Sequence, residues 1–361
     1  MIHQLLSGDM PRSRALAVIL IAILVGLAFA PFWLPGAKAL NVAAKICIFI
    51  VLVASFDLLL GYTGIVSFAH TMFFGIGAYG VAIALTRMGS TWTAVATGIA
   101  VALLLSLTLS LVIGVFSLKV RAIFYAMITL AVAVAFQTLA SQLSDLTGGE
   151  DGLTLKVPEI LSSGYMLSEE PFLGAELNGK FMTYYLVFAA ALILFLVMMR
   201  VVNSPFGRVL QAIRDNDFRA EALGFRAVTY RTSSNVLSAG FATLAGVLLA
   251  LWLRYNGPGT SLSFEIMLDI LLMVVIGGMG TLYGAVVGAT LFILAQSYLQ
   301  QLIGFVSKST ADLPVVGRFL SALFSPDRWL LWLGILFVIS IYFFPAGLVG
   351  ELRRRRLKAG S

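Results

Sequence analysis

The sequence predicts an all-α, polytopic membrane protein of about ten transmembrane helices, with its N- and C-termini both cytoplasmic. Three observations predict it. Hydrophobic residues make up 60% of the 361 residues and charged ones only 11%, with a mean hydropathy of +0.99; soluble chains carry roughly twice that charge. Apolar runs long enough to cross a bilayer recur along the whole chain. Lys and Arg gather in alternate connections between those runs, the pattern of cytoplasmic loops.

The first run, Ala15 to Leu34, follows Arg12 and Arg14 and contains a mock cleavage site at Ala28-Phe29-Ala30. It is longer than a signal-peptide core, and Pro31 opposes cleavage, so it is read as a retained span. Further spans are expected at 40–60, 62–85, 91–117, 122–142, 181–200, 232–253, 264–279, 282–300 and 328–348. In 264–300 the glycines Gly277, Gly278, Gly280 and Gly284 either break one long segment or join two short ones. With the N-terminus inside, the inner segments hold Arg12, Arg14, Lys119, Arg121, the six arginines from Arg200 to Arg231, and Arg353 to Arg356 with Lys358. The 143–180 loop instead carries Asp145, Glu150, Asp151, Glu159, Glu169, Glu170 and Glu176 against Lys156 and Lys180, which places it outside. The chain reads as a single membrane domain over 1–361, with an inner segment at 201–231 and a basic inner tail at 351–361.

Several function classes drop out. The net charge of +7 is spent on membrane orientation, so no nucleic acid is expected as a partner; the lipid bilayer is. Cys47 is the single cysteine and cannot form an internal disulfide. His3 and His70 are the only histidines, too few for a His-rich metal site. Gly174 to Lys180 mimics the start of a phosphate-binding loop, but Phe181 stands where a hydroxyl must hold magnesium, and no strand precedes it. No nucleophile–base pair or carboxylate dyad exists, so no catalytic residue, metal or cofactor is assigned. A proton- or sodium-driven carrier needs buried ionisable groups, and the middles of the spans hold few.

Three stretches carry candidate function. Ser204 to Tyr230 is the one long, charged, amphipathic segment. Ser204 and Pro205 start a helix, Phe206, Val209, Leu210 and Ile213 form one apolar stripe, Asn216 caps a second short helix, and Gly224 stops it. Arg208, Arg214, Asp215, Arg219 and Glu221 must then face water or a partner, as an ordinary inner loop or as a docking knob. Gly61 to His70 places glycines, hydroxyls and an imidazole at membrane depth, tolerated only under cover of protein or a cavity. Tyr62, Thr63, Ser67 and His70 therefore line a pathway or form a turn with His70 bonded to a neighbour. Asp57, Glu265 and Asp269 are acids within or beside spans, and Asp269 joins the pathway-lining candidates. Gly280, Gly284 and Gly288, like Gly75, Gly77 and Gly80, are read as small-residue faces for helix packing.

From about Leu40 to Gly350 the chain resembles the permeases of branched-chain amino acid ABC importers, of the LivM type. The landmarks are GYTGIVSFAH with FFGIGAY (Gly61–Tyr79), LTGGEDG (Leu146–Gly152), SPFGRVLQAIRDNDFRAEALG (Ser204–Gly224) and LDILLMVVIGGMGTLYGAVVGA (Leu268–Ala289); the last two are the most specific. The resemblance implies that 201–231 is a cytoplasmic coupling loop, with Gly207, Arg208, Arg214, Asp215, Glu221, Ala222 and Gly224 in contact with an ATPase. It implies a homologous second permease subunit, two ATP-binding-cassette ATPase subunits that bind the ATP, and a periplasmic solute-binding protein, all at a bacterial inner membrane. The implied cargo is leucine, isoleucine and valine, with urea or short amides as the alternative inside the family. An ATPase-independent carrier or a membrane enzyme is the alternative outside it. The sequence departs from the family at Asp57, where Asn is expected, at Ala69, where Gly is common, and at Asp269, where Glu is more frequent.

Overall fold

The structure, a computed structural model, describes residues 14–33, 36–117, 122–162, 164–166, 177–310, 328–344 and 347–351. Helix dominates, because a backbone out of reach of water must satisfy its own hydrogen bonds. The first half comprises α1 (Arg14–Ala28), α2 (Ala30–Trp33), α3 (Ala37–Thr63), α4 (His70–Met88), α5 (Trp92–Ser117), α6 (Ala122–Gln142) and the single turn α7 (Ser144–Thr147). Then follow α8 (Gly179–Val202), α9 (Pro205–Asp215), α10 (Asp217–Ala222) and α11 (Ala227–Leu253). The last group is α12 (Pro258–Ser261), α13 (Phe264–Gly277), α14 (Leu282–Thr310) and α15 (Trp329–Phe343). Among the described residues, eight helical stretches are long and apolar enough to cross a membrane: α3, α4, α5, α6, α8, α11, α12 with α13, and α14. The shorter apolar helices α1 and α15 fall on the first and last expected spans.

The bundle is built around α3. In its apolar window 94% is buried inside the protein, against 28% for α5 and 22% for α6. Helix α3 is therefore core, while α5 and α6 turn apolar faces outward. Helix α11 packs along α3, α4 and α5, and it approaches α4 closely enough for backbones to touch. A Cβ at Gly77 would overlap the Thr243 carbonyl, and one at Gly246 the Phe74 carbonyl. Small residues serve this purpose in membranes. Overpacking that contact is costly, and Gly246→Val is expected to lower the melting temperature in detergent by roughly 5 °C or more. An unchanged thermal transition would mean that the two helices are free to part.

One expected boundary needs correction, and one open reading is resolved. The third span does not begin at 62: Tyr62 and Thr63 finish α3, residues 64–69 are non-helical, and α4 starts at His70. The cause is Gly64, whose left-handed backbone (φ 72°) sends its N–H back to the Leu59 carbonyl and ends the helix. In 264–300 there are two helices, parted at Gly278 (φ 116°) and Gly280 (φ 78°). Gly284 and Gly288 do pack against α13, near Gly277 and the Met273 carbonyl, but Gly280 belongs to the turn and not to a helix face.

A short antiparallel pair, β1 (Leu153–Thr154) with β2 (Tyr255–Asn256), ties the 143–180 loop to the end of α11. The all-α expectation omits it, since strands of two residues leave no alternation to read. Gly179 and Lys180 open α8 under the Asn178 cap, whose side chain accepts the Phe181 N–H at 3.1 Å; the rest of the mock phosphate loop, through 176, lies outside the described residues. So do Arg12, Lys119, Arg121, Glu169, Glu170 and the tail from 352.

Candidate functional site

Two places on the bundle combine charge, glycine and irregular backbone, and they sit at opposite ends of α3. Sixteen residues separate Lys45 from Gly61 on that helix, about 24 Å at 1.5 Å per residue.

At the Gly61 end sits the amphipathic segment. Ser204 caps α9, its hydroxyl accepting the Gly207 N–H at 3.4 Å, and Asn216 caps α10 by accepting the Arg219 N–H at 2.9 Å. Leu210 and Ile213 are buried, and Phe206 stacks on Tyr230 of α11 at 5.7 Å. Arg231 and Asp217 form an ion pair at 2.7 Å that fixes α10 to α11. Arg208, Asp215, Glu221, Ala222 and Gly224 are exposed. Phe218 and Leu223 stand out further, 85% and 72% exposed, two large apolar side chains on an otherwise charged knob.

Two of the expected contact residues also touch the bundle itself. Gly207 is buried against the end of α8, where a Cβ would collide with the Val202 carbonyl. Arg214 is exposed as a residue, but its guanidinium donates to the Gly61 carbonyl at the end of α3 and lies against Gly280. Asp57, one turn before Gly61 and fully buried, accepts the Gly280 N–H at 2.9 Å. One knob residue thus touches the break after α3 and the break between α13 and α14 together.

At the other end of α3, helices α3, α8, α11, α12, α13 and α14 line a cavity of about 620 Å³. Its polar lining includes Lys45, Asp269, Gln296, Lys180, Arg254 and Glu265. Lys45 Nζ donates to Gln296 Oε1 at 3.0 Å, and Gln296 Nε2 donates to Asp269 Oδ2 at 3.4 Å. Phe49, Leu249, Trp252 and Ile266 supply an apolar wall. Arg254 ends α11 in a left-handed conformation (φ 57°) rare for a side chain of its size. It donates to the Leu161 carbonyl at 2.6 Å, and burial draws its pKa below the usual arginine value.

A family model described as branched-chain amino acid transport system / permease component matches residues 38–341. The chain belongs to this family. Its relatives include the high-affinity branched-chain amino acid transport system permease protein LivM of Salmonella typhimurium, 25% identical over 295 residues, which cover 78% of this chain and 68% of the relative. The LivM of Escherichia coli matches to the same extent. A probable branched-chain amino acid transport permease protein LivM from Methanocaldococcus jannaschii is 25% identical over 256 residues, 69% of this chain and 68% of its own.

Of the five pathway-lining candidates, the permease brings only Asp269 to the polar cavity. Tyr62, Thr63, Ser67 and His70 are buried among helices near the other end. His70 Nε2 lies 2.8 Å from the Ser55 hydroxyl, its ring is 5.3 Å from that of Phe56, and Thr63 donates to the Leu59 carbonyl at 2.6 Å. Sequence reasoning missed Lys45, Gln296, Phe218 and Leu223. Lys45 had a usable signal, a full charge inside an apolar run; Gln296 had none, because its partner Lys45 is 251 residues away.

Proposed function

We propose that this permease is the membrane-pathway subunit of a bacterial inner-membrane importer for branched-chain amino acids, driven by separate ATPase subunits that bind and hydrolyse the ATP. The observation that carries the proposal is the α9–α10 knob. It exposes Phe218 and Leu223 while Arg214, on the same short segment, reaches two helix breaks. Exposed aromatic and aliphatic anchors ringed by charge are what a protein partner buries. Closure of an ATPase pair would displace the knob, and Arg214 would pass that displacement to α3 and to the α13–α14 turn together. A homologous permease completes the pathway, and a periplasmic binding protein delivering solute meets the acidic 143–180 loop at the opposite end. The cargo is taken from the relatives, which are named as branched-chain amino acid permeases.

The test combines three measurements on the assembled importer. Leucine uptake into proteoliposomes should require ATP and the ATPase subunits. A cysteine introduced by Arg219→Cys, with Cys47→Ser, should label only from the cytoplasmic side. Phe218→Asp with Leu223→Asp should lower ATPase co-purification by about tenfold or more, the scale of an interface hot spot, while membrane insertion stays normal. Uptake without ATPase would make the chain a secondary carrier; external labelling, or undiminished co-purification, would remove the docking role.

A further inference from the structure

We propose that Lys45, Gln296 and Asp269 form a recognition site for the zwitterionic head of a free α-amino acid, with Phe49, Trp252 and Ile266 receiving its aliphatic side chain. This rests on the importer reading above and assigns the place where the pathway itself recognises solute.

Of the charges that line the cavity, Lys45 and Asp269 are linked without touching, with Lys180, Arg254 and Glu265 lining it as well. Lys45 is on the third turn of α3 and Asp269 on the second turn of α13, both inside spans. A charge at such depth is expensive and is retained where it pairs or serves a pathway. Lys45 and Asp269 do not form a direct ion pair. The carboxamide of Gln296 stands between them, its oxygen toward the ammonium at 3.0 Å and its nitrogen toward the carboxylate at 3.4 Å. That carboxamide presents an acceptor to the cation and a donor to the anion. An α-amino acid presents the same pair, fully charged: its carboxylate suits Lys45 and its ammonium suits Asp269. Each group has capacity left, since an ammonium has three donors and a carboxylate about four acceptor positions.

The rest of the cavity agrees with such a guest. Its volume of about 620 Å³ falls within the usual range for small-molecule sites. Phe49, Trp252 and Ile266 also line it, with the Phe49 ring 5.4 Å from Lys45 Nζ, apolar surface that a leucine-sized side chain would cover and a urea would leave bare. The site also lies at the end of α3 remote from the knob, where solute delivered from outside would first meet the permease.

A structural bridge among α3, α13 and α14 would use the same three residues, so the experiment must read ligand chemistry as well as strength. The complete membrane complex, purified without its binding protein, is titrated with tritiated L-leucine. The competitors are 4-methyl-2-oxopentanoate, which lacks the ammonium, and leucinamide, which lacks the carboxylate. Wild-type complex should prefer leucine over either analogue by about tenfold or more, the worth of one charge-assisted hydrogen bond. Asp269→Asn should weaken leucine by a similar factor yet leave the oxo acid unaffected; Lys45→Met should weaken leucine and leave leucinamide unaffected. Undiminished leucine affinity in both variants overturns the assignment, as does equal loss of all three ligands together with loss of assembly. So does a wild-type complex that transports leucine with ATP but binds none here, an outcome that leaves the importer reading standing. A complex that moves no leucine with ATPases and binding protein present instead refutes that reading, and this inference with it.

Discussion

Arg214→Glu is expected to cut ATP-driven uptake by roughly a hundredfold while the ATPases still co-purify. The guanidinium donates to the Gly61 carbonyl and lies against Gly280, whose N–H is held by the buried Asp57 carboxylate. Hydrogen bonds from charged donors are worth about 1.5–3 kcal/mol, so its loss alone shifts the seated arrangement by about one to two decades. A carboxylate at 214 adds to the loss by facing a carbonyl oxygen and sharing the neighbourhood of Asp57. The knob keeps Phe218 and Leu223, so its outer surface survives. What fails is transmission: ATP hydrolysis should continue without uptake. Arg214→Lys should recover part of the transport, because a lysine restores the charge but not the planar fork of donors. Wild-type uptake in Arg214→Glu would mean that the contact with Gly61 carries no force.

That prediction differs from what the sequence alone supports, and the difference is instructive. Ser204, Pro205, the stripe from Phe206 to Ile213, Asn216 and Gly224 were all legible, since capping and amphipathic spacing are local rules written within a few residues. Which way Arg214 points was not: its acceptor is 153 residues away, and a charged residue at a helix end reads as surface. The resemblance counted Gly207 in the ATPase contact, and its burial against the Val202 carbonyl was equally out of reach of local rules. The order of the spans was legible from hydropathy, whereas the end of α3 was hidden by an apolar Ile65 and Val66 that continue the run past Gly64. The polar cavity joins residues of six helices, and of its Lys45–Gln296–Asp269 chain only Asp269 was singled out beforehand, although the charge of Lys45 inside an apolar run was a signal as well. Phe218 and Leu223 were overlooked because apolar residues inside an amphipathic segment are expected to face the protein; exposure is decided by where α10 turns after Asn216.

Gly280→Val is expected to leave little or no folded permease. The backbone at 280 has φ 78°, a region that costs an L-residue roughly 1–2 kcal/mol and a β-branched one more. A Cβ there would press on the Arg214 guanidinium and on the Gly61 carbonyl, removing the charged hydrogen bond as well. Nor can the neighbour yield, since a Cβ on Gly61 would in turn strike Gly280 and the Asp57 carboxylate; the two glycines need each other's missing side chains. Strain, overlap and lost bond act on one turn, the turn that sets α13 against α14, so they add where the structure has least room to relax. Gly280→Ala should be milder but still lower the melting temperature in detergent. Asp57→Asn supplies the control, because an amide oxygen can still accept the Gly280 N–H and the burial of a full charge is relieved; its yield and melting temperature should match or exceed wild type. If Gly280→Val instead purifies with a wild-type melting curve, the two breaks are not packed on each other in the membrane, and the route from knob to cavity must run elsewhere.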